Sequence, residues 1–253
     1  MGSTKTALVT GGAKRIGRDI ALALAARGWD VVVHYGQSES EALALVQDII
    51  ASGRRAAAVQ CDLADETAVK TLLARADALL GPISCIVNNA SKFEQDGAAD
   101  FSRTMLDAHM HPNLVAPLLL AQALHAATPE GGQAVVINLL DQKLFNPNPD
   151  FLSYTLSKSA LHAATTLLAQ ALAPKLRVVG VAPGITLVSG DQSSSGFDNA
   201  HTRTPLGRSS TPQDVAAAVC YLAEARAVTG TTVLVDGGQH LIPTERDVMF
   251  IAK

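Results

Sequence analysis

The stretch Thr6-Ala7-Leu8-Val9-Thr10-Gly11-Gly12-Ala13-Lys14-Arg15-Ile16-Gly17 decides the fold of this 253-residue chain. Residues 6–10 are a short apolar run of strand character, the glycines follow at once, and a helical Ala/Leu pattern starts near 15. A glycine-rich turn from a strand into a helix places backbone N–H groups against a pyrophosphate. Gly11 permits the tight turn and Gly17 lets the helix approach the sheet. A capped helix start with no ligand is the competing reading, and what surrounds the turn weighs against it.

Outward from that turn the chain alternates between short apolar runs and longer amphipathic stretches. Further strands are expected at 30–34, 56–60, 85–88, 134–139, 177–182 and 232–235, and helices near 15–27, 39–52, 65–80, 102–127, 152–172 and 212–225. The strands are apolar on both faces, as strands covered on both sides must be. Alternating strands and helices imply parallel pairing through right-handed crossovers. The expectation is an α/β fold, one domain over 1–253, with a doubly wound seven-stranded parallel sheet and helices on both faces. Ligands of such sheets sit beyond the carboxyl ends of the strands. Residues 184–210, rich in Gly, Ser, Thr and Asn, interrupt the rhythm after strand six and read as a substrate loop that could close over a ligand, or as a plain surface excursion.

Composition narrows the function. With 48% hydrophobic and 17% charged residues and a net charge of −3, the chain can build a sizeable core and lacks the basic excess of a nucleic-acid or membrane-surface binder. No apolar run approaches the ~18–20 residues that span a bilayer, and the N-terminus carries no leader pattern. Cys61, Cys85 and Cys220 are odd in number and form neither a CxxC pair nor a metal spacing. A soluble cytoplasmic protein without a metal site is expected.

The end of strand two reads His34-Tyr35-Gly36-Gln37-Ser38, where an NAD site normally carries an acid for the ribose 2′-hydroxyl. Glu39 is the first acid, and it opens the next helix. Gln37 and Ser38, with Lys14 and Arg15 nearby, would tolerate a 2′-phosphate, so NADP(H) is expected over NAD(H). Strand three ends in Cys61-Asp62-Leu63, where Asp62 can accept from the adenine amino group or cap the following helix. Strand four ends in Asn88-Asn89-Ala90-Ser91, small enough for a cofactor to pass closely.

These residues, with Asn113, Tyr154-xxx-Lys158, Pro183-Gly184 and Asp236-Gly237-Gly238, stand in the order and spacing of the classical short-chain dehydrogenase/reductase family, which the whole chain resembles. The resemblance implies a Rossmann fold, NAD(P)(H)-dependent hydride transfer and a homotetramer. It implies that Tyr154, Lys158 and Asn113 are catalytic. The expected cofactor contacts add His34, Tyr35, Ile16, Leu63, Asn89, Ala90, Ser91, Pro183, Gly184 and Ile185 to those named above. Two departures sharpen the resemblance. Arg15 replaces the second glycine of the turn, and Asp141, in NLLD, replaces the serine near the end of strand five. Both are features of the pteridine reductase branch, as are HYxxS after strand two and NNAS followed by an aromatic, here Phe93.

Tyr154 and Lys158 are four apart and share a helix face. A cation beside a phenol favours phenolate, so Lys158 is expected to lower the Tyr154 pKa and also to hold the nicotinamide ribose, with Asn113 holding a water that links it to solvent. Asp141 sets the substrate. An ionised carboxylate only accepts hydrogen bonds and would repel an alkoxide; it suits the N–H edge of an amino-pyrimidine. A protonated one could relay a proton to a ring nitrogen through Tyr154. Either favours C=N over C=O, unless Asp141 merely caps the 141–150 loop. Arg15, Ser91, Phe93, Asp141 and Tyr154 are the expected substrate contacts, with Phe93 stacking on a flat heteroaromatic. Reduction of a 3-oxoacyl thioester or sugar carbonyl, and a catalytically idle NADP(H) sensor, are the other readings. The Ala/Leu-rich helices at 102–127 and 152–172, and the tail after Asp236, are expected at subunit interfaces.

Overall fold

A computed structural model describes residues 5–188 and 194–251. Seven strands, β1 (Thr6–Val9), β2 (Asp30–Tyr35), β3 (Ala56–Gln60), β4 (Cys85–Asn88), β5 (Ala134–Leu139), β6 (Leu176–Pro183) and β7 (Thr232–Val235), form one sheet of order β3-β2-β1-β4-β5-β6-β7. Every neighbouring pair is parallel. The chain runs outward from β1 to β3 and then returns to lay β4 against β1. The crevice for a ligand opens at that reversal, beyond Val9 and Asn88.

Helices α1 (Arg15–Ala26), α2 (Glu39–Ala51), α3 (Glu66–Leu80), α4 (Arg103–Met110), α5 (Ala116–Ala127), α6 (Leu152–Ala171), α7 (Ser194–Thr202), α8 (Pro212–Glu224) and α9 (Val248–Ile251) accompany the sheet. Successive strand residues point to opposite faces, and the core divides accordingly. Ala7 and Val9 join Ile20 and Leu24 of α1 and Val215 and Val219 of α8 on one face. Leu8 joins Leu72 of α3 and Leu120 and Leu124 of α5 on the other. Leu8, Leu24, Leu72 and Leu120 are fully buried, each contributing about 1.5–3 kcal/mol through removal from water. Among the described residues, no helix is long and apolar enough to cross a membrane.

Two expectations fail in detail. The helix expected over 102–127 is two helices joined by a π-turn, His111–Val115. Pro112 and Pro117 lack the N–H that a continuous α-helix needs, and the widened turn absorbs the mismatch. The loop expected over 184–210 contains α7, too polar to show a helical stripe; its residues 189–193 lie outside the described residues. The tail folds back on its own chain, ending in α9.

Candidate active site

The glycine turn is held from three sides. Thr10 Oγ accepts from the backbone N–H of Asn89 at 3.0 Å and of Ala90 at 3.1 Å. Asn89 Nδ2 donates to the carbonyls of Thr10 at 2.9 Å and Gly11 at 3.1 Å. Gly11 has φ +59°, and a Cβ there would lie 3.0 Å from Ala90 Cα. A Cβ on Gly17 would strike the Gly11 carbonyl and Asn89 Nδ2. Arg15 adopts φ +52°, a left-handed backbone unusual for a side chain of its size, and its Nη1 donates to the Val188 carbonyl at 3.0 Å across the mouth of the site.

His34 and Asn89, both expected at the cofactor, brace the turn, and Asn89 also lines the cavity. The His34 ring is buried behind it: Nδ1 accepts from Gly11 N–H at 3.0 Å, and Nε2 lies 3.0 Å from the Cys61 carbonyl, to which it donates. Both nitrogens are spent on the neutral tautomer, and burial pushes the imidazole down to about 4. The unfolded chain therefore takes up this proton first as pH falls. Stability is full above 6.5 and is lost between 6.5 and about 4, by about 3 kcal/mol at ~1.4 kcal/mol per pH unit. Urea midpoints measured from pH 7 to 4 should show that His34→Gln removes most of this loss; an unchanged slope would refute the assignment.

At the far end of the crevice Gln37 is exposed and Ser38 half-buried. The nearby acids are engaged: Glu39 accepts from Tyr35 Oη at 3.3 Å, and Glu41 pairs with Lys14 at 2.6 Å. Asp62 accepts from Ala64 N–H, but the cap of α3 is Asp65, which accepts from Thr67 and Ala68. The capping alternative for Asp62 is thereby corrected. Leu63 is buried beside it.

The reacting end lies beyond β4, β5 and β6. Asp141 follows β5, and its Oδ1 accepts from Lys143 N–H at 2.8 Å. Its Oδ2 accepts from Tyr154 Oη at 2.8 Å. Lys158, one turn along α6, donates from Nζ to the Leu139 carbonyl at 2.7 Å and lies 5.9 Å from the centre of the Tyr154 ring. Burial, against its hydrogen bonds to Lys143 and Tyr154, raises the Asp141 carboxyl. Lys158 is brought down to about 8 by burial. The expected lowering of Tyr154 is reversed: burial, then the Asp141 charge, push its phenol well above the ordinary value. The nearer charge wins, and it is negative.

Asn113 fastens the segment that follows β4. Its side chain does not meet Lys158; Oδ1 accepts from Lys92 N–H at 2.7 Å, and Nδ2 donates to the Lys92 carbonyl and to Ser157 Oγ, both at 3.0 Å. The π-turn thus pins the segment that carries Ser91 and Phe93. Phe93 stacks on Phe151 with ring centres 4.4 Å apart and meets Tyr154 edge-on at 4.7 Å.

A cavity of about 620 Å³ joins these parts. Gly11, Lys14, Arg15, Ile16 and Gly17 line it at one end, Ser91, Phe93, Asp141, Tyr154 and Lys158 at the other, with Asn89, Ala90, Pro183, Gly184 and Ile185 between. Gln142, Lys143, Asp247, Val248 and Met249 also line it and went unnoticed in the sequence. Adjacency to Asp141 was the available signal for the first two; nothing periodic marks the others. Within this chain the tail supplies Asp247, Val248 and Met249 to the cavity wall.

A family model described as enoyl-(acyl carrier protein) reductase matches residues 11–240. The chain is 35% identical to an uncharacterised oxidoreductase of Methylorubrum extorquens, over 92% of this chain and 97% of that one. It is 31% identical to the 3-oxoacyl-[acyl-carrier-protein] reductase FabG of Staphylococcus aureus, over 95% of this chain and all of that one. Among solved structures it resembles FolM alternative dihydrofolate reductase 1 of Brucella canis, complexed with NADP, at 40% identity and TM-score 0.91, covering 96% of each chain. With the parallel sheet, the glycine turn and the Tyr154/Lys158 helix, these similarities establish that the chain belongs to the short-chain dehydrogenase/reductase family of oxidoreductases.

Proposed function

We propose that this protein is an NADP(H)-dependent reductase of a pterin-type C=N bond, in a dihydropteridine or dihydrofolate-like substrate. The observation that carries the reading is the half-buried Asp141 carboxyl group on the Tyr154 hydroxyl. Similarity to the Brucella alternative dihydrofolate reductase supports it.

The crevice fits the cofactor. The N-terminus of α1 has no side-chain cap and no acid in its first turn, while Ile16 and Gly17 line the cavity there. Uncapped N–H groups at a helix start are donors for a pyrophosphate. Lys14 and Arg15 add charge, and Gln37 and Ser38 would receive the 2′-phosphate. When bound, NADPH supplies the hydride.

The chain's residues handle the proton. In the resting arrangement Tyr154 donates to Asp141 Oδ2. Protonated Asp141 reverses that bond: its O–H donates to Tyr154 Oη, freeing the phenol hydrogen for a substrate nitrogen. Burial, which raises the Asp141 carboxyl, favours that protonated form. Lys158, fixed to Leu139, would hold the nicotinamide ribose of the bound cofactor. Phe93, braced on Phe151, offers a face for a flat ring. Asn113 holds the Phe93 segment in place. Orientation and charge placement carry most of the acceleration.

Rates of NADPH oxidation with dihydrobiopterin, dihydrofolate and a simple ketone test the proposal side by side. The pterins should exceed the ketone in kcat/KM by about 10²-fold or more, because a ring nitrogen is a more basic acceptor than a ketone oxygen for the proton that the Asp141–Tyr154 pair delivers. Fluorescence titration should show tighter binding of NADPH than of NADH. Turnover of the ketone alone would favour the second reading, reduction of a 3-oxoacyl or sugar carbonyl, which the similarity to FabG supports. We also propose a homotetramer assembled through α6, whose Leu156 and Leu167 are exposed on one face; light scattering reads the assembly directly.

A further inference from the structure

Lys143 is a buried cation with no task in the reaction above. Its side chain is 3% exposed, and Nζ pairs with Asp247 Oδ2 at 3.2 Å. The same Nζ donates to the Asp150 carbonyl at 2.6 Å. A buried ammonium persists only when paired in this way. Its partner arrives from the C-terminal segment, which is fastened at other points. Arg246 Nε reaches both carboxylate oxygens of Asp150, at 3.0 and 2.9 Å. The Asp247 N–H donates to Asp150 Oδ2 at 2.7 Å. The Phe250 ring stacks on Phe151 with centres 5.9 Å apart.

The same Lys143 holds Asp141 through its backbone N–H, and Asp141 holds the Tyr154 hydroxyl. A contact chain therefore runs from Asp247 through Lys143 and Asp141 to the proton donor, and Asp247 itself lines the cavity. Both Asp247 oxygens are committed, Oδ2 to Lys143 Nζ and Oδ1 to Met249 N–H at 3.1 Å. That makes Asp247 a brace between the tail and Lys143.

We propose that Asp247 is a positioning residue for the proton relay: the C-terminal segment closes the substrate end of the cavity and, through Lys143, governs the charge on Asp141. The inference rests on the reading of Asp141 as proton source. The groups facing Asp141 are Tyr154 and Lys158 from α6, Lys143 from the turn after β5, and Asp247 from the tail; Lys14 and Arg15 line the other end of the cavity. After burial, which dominates, the Asp247 charge raises the Asp141 carboxyl and the Lys143 charge lowers it. Removing one charge or the other therefore moves Asp141 in opposite directions, which a loss of packing does not do.

Infrared difference spectra of the full-length protein, recorded across pH, test this. The carboxylic C=O band of Asp141 is identified by its absence in Asp141→Asn. Asp247→Asn should lower the pH at which the band disappears and Lys143→Met should raise it, each by about one pH unit. The double variant should fall between them, and pH profiles of kcat/KM should keep the same order. A band unmoved in both single variants, or moved the same way in both, overturns the proposal. Should Lys143→Met fail to fold, the downward shift in Asp247→Asn, or its absence, decides alone. The spectra need no substrate. Ordered shifts with an inactive substrate panel would strike the pterin reading, and an active enzyme with an unmoved band would strike this one.

Discussion

Tyr154→Phe should lower kcat for substrate reduction by about 10²–10⁴-fold, the range supplied by a positioned general acid, with the NADPH dissociation constant nearly unchanged. The change removes one oxygen and keeps the ring, so the contacts with Phe93 and His109 survive. It leaves Asp141 Oδ2 without its donor. The loss of one hydrogen bond at this half-buried position costs about 0.5–1.5 kcal/mol, so a modest fall in Tm accompanies the kinetic loss. Stopped-flow NADPH oxidation and a binding titration separate the two effects. A variant within a few-fold of the parent in kcat would remove Tyr154 from the proton path.

Asp141→Ser should abolish pterin reduction and leave NADPH affinity close to that of the parent, because Asp141 lies at the substrate end of the cavity. The serine is too short to keep both the Lys143 amide and the Tyr154 hydroxyl, 2.8 Å away on either side. Asp141→Asn is the finer probe: it keeps an acceptor but cannot relay a proton. Its sign with pH is definite. Because the wild-type carboxyl is raised, its protonated form persists into less acidic solution, and the rate falls as pH climbs through that raised value. Asp141→Asn should lack that falling limb and run slower throughout, by about 10²-fold or more. Pterin turnover retained in Asp141→Ser would count decisively against the proposed substrate.

The two residues differed in how far they could be read. Tyr154 and Lys158 share a helix face by spacing alone, and Asp141 stands where a strand ends. Their proximity followed from the parallel order of β4, β5 and β6. The direction of the Tyr154 shift did not follow. A lysine four residues away in sequence is an obvious cation, but the carboxylate thirteen residues earlier is the group in contact. His34 shows the same limit: its place at the end of strand two suggested a cofactor contact, and only the packing of β2 behind Gly11 turns both ring nitrogens inward.

The strands, most helices, the glycine turn and the order of the motifs were determined by the sequence itself, because local periodicity, β-branched runs and glycine placement are properties of neighbours along the chain. The inward-facing tail and the chain of contacts from Asp247 to Tyr154 were decided by tertiary structure. Those features join residues as much as 104 positions apart. Charge and hydrogen bonding at such range depend on distance in space and on burial, and neither exists until the sheet has closed its core.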